Sequence, residues 1–138
     1  MGAEVLVYSV FWNVTERALH MKILIVDDDK TFVYGMKEFL KLRNIPAFTA
    51  RNASEAIKLL SEEDISLVCT DWDLGDSTGL DVLSYAKDKD VPCVFLTVHD
   101  EDSYKEKALS LGAVRYYIKG TRHYGDIIND MKRLLDEK

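Results

Sequence analysis

From Met21 onward the chain alternates short runs of β-branched and aliphatic residues with segments of helical period, and this rhythm constrains the fold more than any other feature. The runs are KILIV (22–26), PAFTA (46–50), ISLVCT (65–70), PCVFLT (92–97) and AVRYYIK (113–119). KILIV is apolar enough to be buried on both faces, as a central strand of a parallel sheet must be. Between the runs, DKTFVYGMKEFLKLRN places Phe32, Met36, Phe39 and Leu40 on one helical face. SEAIKLLSE (54–62) reads as a short helix with Ser54 as N-cap, and Gly79 to about Lys87 as a helix with Leu80, Leu83 and Ala86 at helical spacing. DSYKEKALSLG (102–112) is a helix stopped by Gly112, and DIINDMKRLLDEK closes the chain as the last one. Strand and helix in alternation predict parallel βα units, hence an α/β fold with helices on both faces of one sheet.

The remaining bounds are simple. At 138 residues the chain fits one domain, and 47% hydrophobic with 30% charged residues is an ordinary globular composition. Acids outnumber bases 24 to 18, and no Lys/Arg cluster longer than a dipeptide exists, which disfavours direct nucleic-acid binding. The longest apolar run, Val5 to Trp12, is interrupted by Ser9 and is far shorter than the roughly 20 residues of a membrane helix. It also lacks the basic flank and small-residue cleavage site of a signal peptide. Cys69 and Cys93 sit inside apolar runs and are expected to be buried and unpaired, pointing to a cytoplasmic location. Residues 1–20 stand outside the rhythm: EVLVYSVFWNV is too apolar for an inert tag and reads equally as strand or helix, and an extension that packs where it can, an accessory strand or a dimer-forming arm remain open for it.

In a doubly wound sheet, ligands collect beyond the carboxyl ends of the strands. Those ends here read Asp27-Asp28-Asp29, Asp71-Trp72-Asp73, Thr97-Val98-His99 and Lys119-Gly120. Hard oxygen ligands suit Mg²⁺, with Mn²⁺ as a substitute, and such an ion is typically held by one or two carboxylates together with substrate phosphate. Asp28 and Asp71 are the expected ligands. With the carboxylate repulsion offset, one of these groups can attack phosphorus and form an aspartyl phosphate. Lys119 and Thr97 supply an ammonium and a hydroxyl for the phosphoryl oxygens.

Taken together these residues resemble a response-regulator receiver domain of the CheY-like kind, over essentially all of residues 21–138. The acidic pair of that family matches Asp27 and Asp28 in ILIVDDD, its phosphoacceptor Asp71 in CTDWDLGDSTGLDVL, and its glycine opening the third helix Gly79. Its switch Thr/Ser matches Thr97 in CVFLTVHD, its lysine Lys119 in YYIKG, and its aromatic switch position Tyr116. The resemblance implies a five-stranded parallel sheet in the order 2-1-3-4-5, a histidine kinase or histidine phosphotransfer protein as phosphodonor, and phosphorylation of Asp71 rather than enzymatic turnover. It further implies Mg²⁺ held by Asp28, Asp71 and the Asp73 backbone carbonyl, with Asp27 acting largely through water. The surface formed by the fourth helix, fifth strand and fifth helix would then change and meet a downstream protein or a second copy. Asp73 and His99 fall at positions that tune phosphate lifetime in the family. Gly75 and Gly120 stand where the family usually has proline, so Lys119 is expected to be less firmly placed.

Plainer readings hold for several residues. Asp29 is expected to be a helix N-cap, His99 a loop-rim residue, Trp72 the rim of the pocket, Asp76 and Asp81 solvated acids, and Tyr116 and Tyr117 a pair on opposite sheet faces. Two rival functions compete with this one: a receiver-fold binding module that is not phosphorylated, and a haloacid-dehalogenase-like phosphohydrolase, whose DxD motif Asp71-Trp72-Asp73 resembles. Chain order opposes the second, because that family carries DxD on its first strand and its acidic pair last. An EF-hand loop fails at Gly75 and Val82, where calcium ligands would be needed.

Overall fold

The structure, a computed structural model, describes residues 21–136. The expectations for residues 1–20 therefore lie outside the described residues. In chain order the elements are β1 (Ile23–Val26), α1 (Lys30–Lys41), β2 (Ala47–Ala50), α2 (Ala53–Glu62) and β3 (Leu67–Thr70), followed by α3 (Gly79–Asp88), β4 (Cys93–Thr97), α4 (Asp102–Ser110), β5 (Arg115–Ile118) and α5 (Tyr124–Asp136). The five strands form one sheet in the order β2-β1-β3-β4-β5, and every pairing is parallel, as the alternation in the sequence implies.

Alternation of side chains along the strands sorts the core into two layers. Leu24, Val26, Val68 and Phe95 face α2, α3 and α4, where Ala56, Leu60, Val82, Leu83 and Ala108 are buried. Ile23, Ile25, Leu67, Cys69, Val94 and Leu96 face α1 and α5, where Met36, Leu40, Ile127, Ile128 and Met131 are buried. Each fully buried aliphatic side chain contributes roughly 1.5–3 kcal/mol, so β1, β3 and β4, with every residue buried, join the two layers. Cys69 and Cys93 are free and buried, and burial pushes both thiols up, Cys93 to about 12. Among the described residues no helix is long and apolar enough to cross a membrane.

Helix ends mostly follow local chemistry. Asp29 caps α1, its Oδ1 accepting from the amides of Thr31 at 3.0 Å and Phe32 at 3.2 Å. Helix α2 differs from expectation: Asn52, not Ser54, is the N-cap, because its Oδ1 accepts from the Glu55 amide at 2.9 Å and Ser54 falls inside the first turn. Helix α4 ends at Ser110, two residues before Gly112, whose φ of +112° reverses the chain into β5. Helix α5 begins at Tyr124, earlier than the periodicity suggested, with His123 Nδ1 accepting from the Gly125 amide at 3.1 Å.

Candidate functional site at the carboxyl ends of the strands

The sheet register brings the singled-out residues to one edge. Val26 pairs with Thr70, so the next residues, Asp27 and Asp71, leave the sheet side by side, and the Asp71 amide donates to Val26 O at 2.9 Å. Thr97 pairs with Ile118, and the Lys119 amide donates to Thr97 O at 2.8 Å, which starts the lysine side chain beside the acids. Its Nζ lies 2.7 Å from Asp27 Oδ2 and 3.2 Å from Asp71 Oδ2. Lys119 is thus firmly held, against the expectation drawn from Gly120, because two carboxylates fix the ammonium independently of the backbone that follows it.

Asp27, Asp28 and Asp71 each offer a carboxylate oxygen, and these oxygens all lie within 4.8 Å of one another. Asp27 is buried, Asp71 half-buried and Asp28 exposed, so the cluster opens to solvent on one side. Burial raises the Asp27 pKa, and the hydrogen bonds from Lys119 and the Asp29 amide only partly offset it. Burial alone would lower Lys119, but its two carboxylate partners outweigh that and raise it, keeping the ammonium charged. Three carboxylates against one ammonium leave a formal charge of −2. A hard divalent cation fits that charge and an all-oxygen donor set.

A stability prediction follows from Asp27. A carboxyl whose folded pKa is raised stabilises the fold fully below its ordinary value of 3.8, and that contribution is lost as pH rises through the folded pKa. Asp27→Asn is therefore expected to raise stability at neutral pH, with no gain in acid, and to weaken divalent-cation binding. Thermal melts at pH 7 and pH 3 with a Mg²⁺ titration check this; a variant less stable at pH 7 contradicts it.

The Asp73 carboxylate points elsewhere, to His99 Nε2 at 2.6 Å. The His99 ring stacks on Tyr104, with centroids 4.3 Å apart and planes parallel within 1°. Its backbone engages two further singled-out residues: the amide donates to Thr97 Oγ1 at 3.5 Å, and the carbonyl accepts from the Tyr116 hydroxyl at 2.8 Å. Burial pushes the Tyr116 hydroxyl up to about 12, so it remains a donor. The Tyr116 ring stacks on Phe95, whereas Tyr117 is buried in the other layer with its hydroxyl on Asp130, as strand alternation requires. Trp72 is not a pocket rim: it is 8% exposed and packs edge-on against Tyr104, with centroids 4.7 Å apart, and beside Phe95. Asp76 and Asp81 are exposed, as expected. Sequence reading passed over Tyr104 and gave Phe32 a core role; no spacing rule links either to the strand ends.

The sequence profile of the response regulator receiver domain matches residues 23–128. The chain belongs to this family. The receiver domain is 30% identical over 105 residues to the two-component response regulator ARR12 of Arabidopsis thaliana, covering 74% of this chain and 18% of that protein. It is 32% identical over 102 residues to the regulatory protein VanR of Enterococcus faecium, covering 73% of this chain and 44% of that protein. The chain thus spans less than half the length of these curated relatives. Among solved structures, a CheY-like receiver domain protein from Methanospirillum hungatei JF-1 superposes with a TM-score of 0.79 at 26% identity, covering 85% of this chain and 94% of that one.

Proposed function

We propose that residues 21–138 act as the phosphoacceptor of a cytoplasmic two-component or phosphorelay pathway, with Asp71 taking a phosphoryl group from a histidine kinase or histidine phosphotransfer protein. The observation that carries this reading is the convergence of Asp27, Asp28, Asp71 and Lys119 at one sheet edge, with Lys119 bridging two of the acids. An Asp71 carboxylate oxygen attacks phosphorus; the new O–P bond forms as the P–N bond to the donor imidazole breaks, and the imidazole nitrogen keeps the electron pair and takes a proton. Asp28, Asp71 and the Asp73 backbone carbonyl would hold Mg²⁺, with Asp27 acting through water, and the ion would supply positive charge for the phosphoryl group. Lys119 and the Thr97 hydroxyl bind those oxygens. Turning Thr97 toward them releases the His99 amide, and the same loop carries the carbonyl that holds Tyr116. Tyr116 is then free to move, changing the α4-β5-α5 surface that meets a downstream protein or a second copy. Turnover of added substrates is not part of this role.

Incubation with Mg²⁺ and acetyl phosphate or phosphoramidate is expected to give a phosphate-sized mass increase that EDTA prevents. No adduct favours a binding module that takes no phosphate; rapid turnover of unrelated phosphate esters favours a phosphohydrolase.

Asp73 and His99 tune the lifetime as a pair. With its carboxylate engaged by His99, Asp73 is not free to activate water near the phosphoryl group. His99→Phe keeps the ring stack on Tyr104 and frees Asp73, so it is expected to shorten the phosphate lifetime several-fold, and adding Asp73→Asn to reverse the effect. Radiolabel decay rates for the two variants check this, and an unchanged or longer lifetime in the single variant contradicts it.

A further inference from the structure

We infer that Phe32 is a positioning residue for Lys119, holding the ammonium in the pocket through the face of its ring; this rests on the reading of Asp71 as phosphoacceptor. The backbone after Lys119 offers little restraint: Gly120 has φ +83°, and a Cβ there would meet nothing within 4 Å. The hydrogen bond from the Lys119 amide to Thr97 fixes where the side chain begins, but not its long flexible stem. The ammonium itself lies 4.2 Å from the centroid of the Phe32 ring. A cation within about 6 Å of a ring centroid is attracted by the ring quadrupole, most strongly where water is excluded.

The ring is braced to do this. Tyr124, at the start of α5, meets it edge-on, with centroids 5.3 Å apart and planes at 89°. The Phe32 amide is fixed by the Asp29 cap, and the Asp29 amide in turn donates to Asp27 Oδ1 at 2.9 Å, so the ring's helix is anchored to the acidic cluster. An ammonium has three N–H donors, of which Asp27 and Asp71 engage two, and Phe32 is the further neighbour. When Asp71 becomes an acyl phosphate, Lys119 must follow the charge onto phosphoryl oxygens and exchange its carboxylate partners. The ring contact involves no reacting atom and makes no hydrogen bond that resists this exchange. An aliphatic side chain of similar size fills the same space without attracting the cation.

The test compares Phe32→Leu and Phe32→Tyr with the unsubstituted protein. Phe32→Leu is expected to lower the maximal rate of Mg²⁺-dependent phosphorylation by acetyl phosphate about tenfold, while Mg²⁺ affinity stays within about twofold; Phe32→Tyr restores the rate to within about twofold. Equal rates for Phe32→Leu and the unsubstituted protein overturn the inference. So do Leu and Tyr variants that are equally slow, which is the signature of packing alone. A second reading needs no phosphodonor: the Lys119 Cε protons are expected to be shifted upfield by the ring in the unsubstituted protein and in Phe32→Tyr, and to lose that shift in Phe32→Leu. If the unsubstituted protein takes up no phosphate, the assignment of Asp71 fails while this NMR shift still tests the contact; Cε protons without the upfield shift overturn it.

Discussion

Asp71→Asn is expected to reduce phosphate uptake from acetyl phosphate to background while leaving the fold intact. The amide is nearly isosteric, and its oxygen can still accept the hydrogen bond that Asp71 Oδ1 receives from the Trp72 amide at 2.7 Å. Lys119 keeps Asp27 at 2.7 Å as its partner, so no buried cation is stranded. What is lost is the anionic oxygen that attacks phosphorus, because an amide oxygen is a poor nucleophile. The pocket charge also falls from −2 to −1, so divalent-cation affinity drops with it. Intact-mass measurement after incubation reads the first effect, and a Mg²⁺ titration followed through the neighbouring Trp72 reads the second. A phosphate adduct that persists in this variant at the unsubstituted level contradicts the assignment.

The second large effect is structural, and it falls on Gly79. A Cβ built there would stand 2.3 Å from the Asp71 carbonyl oxygen, 2.8 Å from Phe95 Cε2 and 3.2 Å from Thr70 Cγ2. The first of these atoms belongs to the backbone and also accepts from the Thr70 hydroxyl at 2.9 Å, so it cannot swing aside. Moving Gly79 instead breaks the hydrogen bond from its amide to Trp72 O at 2.8 Å. Gly79→Ala is therefore expected to cost about 3 kcal/mol and to lower the melting temperature by roughly 10 °C, displacing Asp71 as it does so. Gly35→Ala provides the control: it lies within α1, nothing stands within 4 Å of its added Cβ, and the change is expected to be neutral or to stabilise by up to about 1 kcal/mol. A Gly79→Ala protein that melts with the unsubstituted one would falsify the close-packing account.

The strand-end acids, Thr97 and Lys119 were legible in the sequence because two independent signals coincide there. The period-2 and period-3.6 patterns locate the strand ends, and the residues at those ends share one chemistry. Parallel register does the rest, since the last residues of β1 and β3 pair directly, as do those of β4 and β5. Other features were hidden because they depend on contacts far apart in sequence. The Asp73–His99 pair spans 26 positions, and the Phe32 ring reaches Lys119 across most of the domain. Trp72 was misplaced because the residue after the acceptor turns to the opposite face, into the layer with Phe95 and Tyr104. Gly120 misled in the other direction: a flexible backbone suggested a loose lysine, while side-chain partners hold it. Ser54 failed as a cap because Asn52, two residues earlier, already satisfies the first turn.

The central claim is that one carboxylate of the cluster becomes an acyl phosphate. Borohydride reduces an acyl phosphate to the alcohol, so a phosphorylated aspartate becomes homoserine and can be located by peptide sequencing in a mass spectrometer. After incubation with Mg²⁺ and acetyl phosphate followed by borohydride, homoserine at position 71 alone is the expected result. Homoserine at position 27, 28 or 73, or none at any aspartate, would contradict it.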